Sequence, residues 1–522
     1  MAFTFVDITV VSTCTAFYFA IKYIRYLQSP VSTLPSPPDV DGHWLWGHEF
    51  SIWKAQANQK YTEWTSLLGP VYRIKAPFFQ KDVLVAGDVA SSSHVLHHAY
   101  KYEKAPAFLP ITVKLLGRGV VWAHGEEHKR QRRLITAAFT PAAVRGMQDD
   151  VSECAERLVS TIKKKFQDQD TTITANVEPL VASATLDIIG RVALGHDFGN
   201  GDAKAINDAW ANDVKMGRTM AGFLAPIVIG TFPIVNHLPI PLLQEDGVCK
   251  KIALKIARQM LDEHRARQDV DKDAKDILSI LIRDQTLRKG EEALEDWQLL
   301  ENISTFIMVG HETTSCSVIF TLLELARHPE VQSKLRQELQ DLHDFSADNI
   351  MDLPYLDAVA KEGLRLHPAS PRTDRIAIID DIIPLSTPIV TPSGKTITSI
   401  PIKAGQVIQI PTTVLNTNPE VWGPNSFEFY PERFLSPEGL PSPEELPHGP
   451  YGNLATFLEG PRVCAGWRLA VMEFKVLLAH LIRDLVFEDT GKPIESYIAG
   501  TLQAFCEDQP AYLPLNIRAA HY

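Results

Sequence analysis

Cysteine is scarce in this chain and never closely paired: Cys14, Cys154, Cys249, Cys316, Cys464 and Cys506 stand far apart among 522 residues. Without a recurring short spacing, neither a disulfide framework nor a zinc ribbon is expected. A basic excess is lacking too. The formal net charge is −12, which argues against a general nucleic-acid binder. There is no internal repeat, no break in composition and no flavin or nicotinamide fingerprint. What remains is an ordinary globular composition, 45% hydrophobic and 22% charged. One large folded unit is expected, with no separate domains in its body.

One apolar run stands apart. From Ala2 to Ile21 the chain is mostly apolar, interrupted by Asp7, and Lys22 and Arg25 follow. The run is about as long as the roughly 20 residues that span a bilayer. A cleaved signal peptide carries its basic residues before the apolar stretch. Here they come after it, so residues 1–28 are expected to be a single-pass anchor with the body in the cytosol. Leu34-Pro35-Ser36-Pro37-Pro38 makes 29–45 a stiff, proline-rich spacer.

The body, residues 46–522, reads as mainly α with small β regions. Val71–Ile74 and Asp82–Ala86 form a hairpin pattern, and 124–335 carries helical periodicity. A second β region covers 388–410 around Pro392-Ser393-Gly394, and helix returns near 466–485. Residues 221–237 hold no Asp, Glu, Lys or Arg and are broken by Pro226, Gly230 and Pro233. They fit a buried helix–loop–helix or a surface loop dipping into lipid, and the residues alone leave the two even.

The strongest chemical signal is Phe457-Leu458-Glu459-Gly460-Pro461-Arg462-Val463-Cys464-Ala465-Gly466. A thiolate that ligates iron needs a tight loop with backbone amides aimed at sulfur, and glycines permit that turn. Arg462 adds positive charge, which lowers a thiol pKa and can pair a carboxylate. Upstream, Glu362 and Arg365 lie one helical turn apart, followed by Pro431-Glu432-Arg433-Phe434. Val309-Gly310-His311-Glu312-Thr313-Thr314 sits inside an apolar helical run from Ile303 to Leu325. A carboxylate beside a hydroxyl in such a run can relay protons.

Together these motifs, in this order, resemble the cytochrome P-450 family, and fungal microsomal members in particular. The resemblance implies a P-450 fold with an N-terminal transmembrane helix. It also implies haem b with iron ligated by Cys464, a cofactor frame of His128, Arg132, Arg375, Phe457 and Arg462, and a buried network of Glu362, Arg365 and Arg433. Glu312 and Thr313 would be the catalytic pair, and Phe306, Val309, Gly310 and Ala369 would line the substrate pocket. Gly310 is expected to leave room for ligand and let its helix distort locally.

Three positions depart from the family pattern. His128 stands where a Trp is usual, and its ring N–H can donate as an indole does. Leu458 replaces a glycine, a variation expected to be tolerated. Val309 replaces the commoner Ala.

The implied activity is monooxygenation of a hydrophobic small molecule with O2, in fungal secondary metabolism such as terpenoid biosynthesis. Electrons would come from NADPH through a separate cytochrome P-450 reductase at the endoplasmic reticulum membrane, docked on Lys129, Arg130 and Arg133. Two rival activities stand beside it: a P-450-fold isomerase or dehydratase that needs no reductase, and a non-enzymatic haem-binding protein.

Overall fold

A computed structural model describes residue 13 and residues 29–166, 172–198, 202–232, 235, 246–266, 276–287 and 294–520. The expected anchor over 1–28 lies outside the described residues, residue 13 excepted.

Seven helices position the site: α1 (Glu49–Lys54), α2 (Gly125–Thr136), α3 (Glu178–Leu194), α4 (Met220–Thr231), α5 (Asp296–Arg327), α6 (Pro354–Leu366) and α7 (Trp467–Asp484). The longest, α5, begins at a capping box in which Glu295 and Gln298 satisfy each other's backbone amides. It ends where His328 leads into Pro329, which starts the next helix. By length and composition α5 could cross a bilayer, but 83% of its most apolar window is buried in the protein. It is the core helix, packed along α3 and against α7.

The strands are β1 (Val71–Ile74), β2 (Val83–Ala86), β3 (Tyr102–Lys104), β4 (Thr172–Asn176), β5 (Arg372–Ala377), β6 (Asp381–Val390), β7 (Thr396–Ile402), β8 (Val407–Pro411), β9 (Leu485–Asp489), β10 (Ile494–Ala499), β11 (Thr501–Cys506), β12 (Gln509–Pro510) and β13 (Pro514–Ala519). The main sheet runs β1-β2-β8-β5-β3, with β2 and β8 parallel. The expected hairpin is β1–β2, with Val71 opposite Ala86. The second expected β region becomes β6–β7, turning at Gly394, and then β8. The strands after residue 485 carried no signal that the sequence reading used.

The proline-rich segment lies docked on this sheet rather than standing off it. Val31 and Leu34 are buried in the sheet's core cluster. The Arg73 backbone N–H donates to the Pro35 carbonyl at 2.9 Å, and Arg73 Nε donates to the Leu34 carbonyl at 3.0 Å. The uncharged stretch from residue 221 folds through Thr231 as α4. Phe223 and Ile229 are buried, and α4 lines the main cavity with Phe223, Pro226 and Gly230. Residues 233–234 and 236–237 of that stretch lie outside the described residues.

Candidate active site

The Cys464 loop turns at Gly460, where φ is +70° and an added Cβ would meet the Leu96 carbonyl oxygen at 2.5 Å. Only glycine fits there without strain. The Cys464 N–H donates to the Phe457 carbonyl at 2.9 Å and closes the loop. Among the described cysteines Cys464 alone is exposed, and what it faces is an interior cavity of about 960 Å³ that it lines. Surrounding protein pushes its thiol up, opposed by the Gly466 amide and the charge of Arg132. Phe457 packs into the helical core, and its neighbour Leu458 is the one that reaches the cavity.

Leu458, expected to be a tolerated replacement, is accommodated at a cost. It adopts φ 57°, ψ −167°, a region that is essentially glycine's, so the replacement carries strain of about 1–3 kcal/mol. Packing of its side chain on the sheet cluster offsets part of that cost.

Among the cationic and imidazole side chains that line the cavity with Cys464 are Lys104, His128, Arg132, Arg375 and Arg462. Burial, and then the charges of Arg462, Lys104 and Arg132, hold the His128 ring down at about 3, so the imidazole is neutral at physiological pH. Tyr100 Oη lies 3.2 Å from its Nδ1. With that hydroxyl donating, the ring proton sits on Nε2, the donor expected in place of an indole N–H. Lys104 was missed by the sequence reading. Burial, Arg375 and Arg462 push its ammonium well down. Burial first, and then Arg462, lower Arg375 to about 10. The buried Nε atoms of Arg375 and Arg462 have no hydrogen-bond partner among the described residues.

On α5 the expected pair separates. Thr313 lines the cavity, and its hydroxyl donates to the Val309 carbonyl at 2.8 Å. Glu312 is buried and faces β11, accepting hydrogen bonds from Thr501 Oγ1 at 3.0 Å and from Gln503 Nε2. Successive helical residues point about 100° apart, so the two side chains do not meet. Neither Thr501 nor Gln503 was foreseen.

The pocket expectations divide as well. Phe306, Val309 and Gly310 line the cavity. Ala369 does not: its carbonyl accepts the Leu502 N–H at 2.9 Å, which draws it into the core, and Ser370 and Arg372 take the cavity wall instead. Gly310 serves packing, since a Cβ there would meet Ile189 Cγ1 at 2.7 Å. α5 stays α-helical throughout, so the local distortion expected at Gly310 is not seen.

A second carboxyl, Glu473 on α7, also lines the cavity and is 1% exposed. Burial raises it to about 8, with the Thr314 hydroxyl as its hydrogen-bond partner.

Behind the loop, the acid–base network forms as expected. Glu362 receives Arg365 Nε at 2.7 Å, Arg365 Nη2 at 2.8 Å and Arg433 Nε at 3.0 Å, and all three residues are buried. Removing one partner of such a buried network strands a charge, at a cost of about 3–5 kcal/mol. The link to the cysteine loop runs through two residues not foreseen. Arg365 Nη1 donates to the Asn416 carbonyl at 2.9 Å, Asn416 Nδ2 to Thr456 Oγ1 at 3.1 Å, and the Ala455 N–H to Asn416 Oδ1 at 2.8 Å. Glu362 and Arg365 thereby brace the turn that leads into Phe457.

This donor set fits a haem. Unpaired buried guanidinium N–H groups suit its two carboxylates, a cysteine sulfur suits its iron, and an apolar-walled cavity suits the macrocycle. Comparison with known proteins agrees. The family model described as Cytochrome P-450 matches residues 35–512. The chain is 31% identical to cytochrome P-450 monooxygenase 205 of Postia placenta, over 96% of this chain and 95% of that protein. It is 32% identical to cytochrome P-450 monooxygenase claP of Ampulloclitocybe clavipes, over 83% of this chain and 82% of that protein. It is 30% identical to the ganoderic acid synthetase of Ganoderma lucidum, over 92% of each. On the motifs, the geometry and these similarities alike, the chain belongs to the cytochrome P-450 family.

Proposed function

We propose that this P-450 inserts one oxygen atom from O2 into a hydrophobic small molecule in fungal secondary metabolism, by hydroxylation or epoxidation of a terpenoid-type substrate. One observation carries the reading: Cys464 stands on the wall of a large cavity with Arg132, Arg375 and Arg462 beside it. The ganoderic acid synthetase relative supports the metabolic setting.

Haem, when bound, would supply reductive activation of dioxygen; everything else falls to side chains. Cys464 would hold the iron, and Arg375, Arg462, Arg132, Lys104 and the neutral His128 would hold the two carboxylates. Thr313 positions a proton at its Oγ1 on the cavity wall, and Glu312, held by Thr501 and Gln503, keeps a carboxylate close behind. Phe306 and Val309 exclude water from the reacting end of the substrate.

In the overall balance substrate, O2, NADPH and a proton give oxygenated product, NADP⁺ and water. Electrons arrive through NADPH–cytochrome P-450 reductase. Of the expected docking cations, Arg133 is exposed, while Lys129 and Arg130 pair with Glu126 and Glu127 one turn back. Residues 1–28 anchor the chain in the endoplasmic reticulum membrane, with the catalytic body cytosolic. Their apolar run and trailing positive charges support that placement.

The test is a full-length preparation reconstituted with reductase. Its reduced, carbon-monoxide-bound spectrum should show the red-shifted band of a thiolate-ligated haem, and Cys464→Ser should lose it. Fungal metabolite extracts should then yield NADPH-dependent products heavier by one oxygen atom. An unchanged spectrum in the variant overturns the ligand assignment, and products formed equally without NADPH favour an isomerase.

A further inference from the structure

The cavity wall carries a closed polar ring of Arg372, Tyr61, Gln409 and Glu49. Arg372 Nη1 donates to Tyr61 Oη at 2.9 Å and to Glu49 Oε2 at 3.1 Å. Tyr61 Oη donates to Gln409 Oε1 at 2.7 Å, and Gln409 Nε2 returns to Glu49 Oε1. One guanidinium and one carboxylate cancel, and the ring satisfies itself.

Asp374 is left out of it. Strand alternation puts Arg372 and Asp374 on one face of β5 and Thr373 and Arg375 on the other, so Asp374 faces away from the cofactor-holding Arg375. Its side chain lines the cavity. Its nearest cation, Arg372 Nε, lies 3.6 Å from Oδ1, beyond hydrogen-bond reach. Oδ1 is buried without a hydrogen-bond partner, and among the described residues no donor reaches the carboxylate. The side chain as a whole stays 27% exposed, so its other oxygen is open to a bound molecule that brings a donor to a carboxylate the protein leaves unmatched. Much of the remaining wall is apolar, with Phe306, Val309, Phe223 and Ile498, although Lys60, Asp213 and Arg218 also line it. A matching ligand is therefore apolar along its body and polar at one end.

We propose that Asp374 is a specificity-determining residue that accepts a hydrogen bond from a hydroxyl carried on one end of an otherwise apolar substrate. The inference rests on the monooxygenase reading only in taking this cavity as the substrate site. It narrows the substrate class to alcohols.

The test is equilibrium dialysis of the holoenzyme, wild type, Asp374→Ala and Asp374→Asn, against decan-1-ol, decyl methyl ether and decyltrimethylammonium. Wild type should hold the alcohol about tenfold or more tighter than the ether, the range for a hydrogen bond to a charged group. Asp374→Ala should bring that ratio to about one, and Asp374→Asn, which keeps an acceptor oxygen, should retain part of it. A structural role through Arg372 would weaken alcohol and ether alike and leave the ratio unchanged. An equal affinity for alcohol and ether in wild type, an unchanged ratio in Asp374→Ala, a preference for the quaternary ammonium, or no binding of any probe overturns the proposal. The carbon-monoxide spectrum of the same preparation is read separately, so failure of the haem-thiolate reading is distinguishable from failure of this one.

Discussion

Lys104 and Arg375 are cross-strand partners: the register of β3 on β5 sets the two directly opposite each other. Like charges in that position destabilise a sheet, and both are held in protein beside Arg462. The arrangement makes sense when an anion sits among them. Lys104→Met should therefore act in opposite directions on the two forms of the protein. Without haem the variant should melt higher, by the equivalent of about 0.2–1 kcal/mol. With haem it should release the cofactor to apomyoglobin several-fold faster. Equal release rates would remove Lys104 from the cofactor frame.

Leu458 offers a test of backbone strain. Alanine is normally the better residue than glycine in folded structure, but not at positive φ. Leu458→Ala should lose packing and keep the strain, whereas Leu458→Gly loses packing and relieves it. The glycine variant should be the more stable of the two, by about 1 kcal/mol or more. Chemical denaturation of both holoproteins decides it, and an alanine variant equal to or above the glycine variant refutes the strain.

Glu473 should make stability depend on pH. Its carboxyl is raised from an ordinary 4.5 to about 8 by burial. Over that interval the unfolded chain gives up the proton before the folded protein does. The contribution to stability is thus present below pH 4.5 and lost as pH rises through about 8. Glu473→Gln keeps shape and removes the titration. Its melting temperature relative to wild type should climb steadily between about pH 5 and about pH 8.5, and a flat difference would show that the group titrates elsewhere.

Thr313→Ala should leave haem content intact and cut product per NADPH on the order of 10²-fold, with hydrogen peroxide taking up the difference. The hydroxyl's bond to the Val309 carbonyl allows a purely structural role as the alternative, and that role leaves product yield per NADPH unchanged. Peroxide, product and NADPH measured together separate the two. Gln503→Leu extends the test: it removes one donor from Glu312 without touching the cavity wall, and should lower coupling less than Thr313→Ala does.

The cysteine loop, the Glu362–Arg365–Arg433 network and the helical body were legible in the residues because their requirements are local. A tight turn at sulfur needs glycine at Gly460, and a Glu and an Arg one turn apart share a helix face whatever surrounds them. An apolar run of α5's length has to be buried or membrane-bound.

Chain folding settled what lies between elements. Lys104 came to the cavity wall opposite Arg375 through the register of β3 on β5. Glu312 turned from Thr313 to β11 because neighbouring helical residues diverge and Gln503 arrives from 191 positions away. Ala369 was drawn off the cavity by one backbone bond to Leu502, and Asp374 was isolated because Arg372 is engaged by Glu49 and Tyr61. Periodicity states which face of an element is apolar. It does not state which distant element meets that face or in what register, and at this site those long-range pairings decide which polar groups are satisfied and which are left for a ligand.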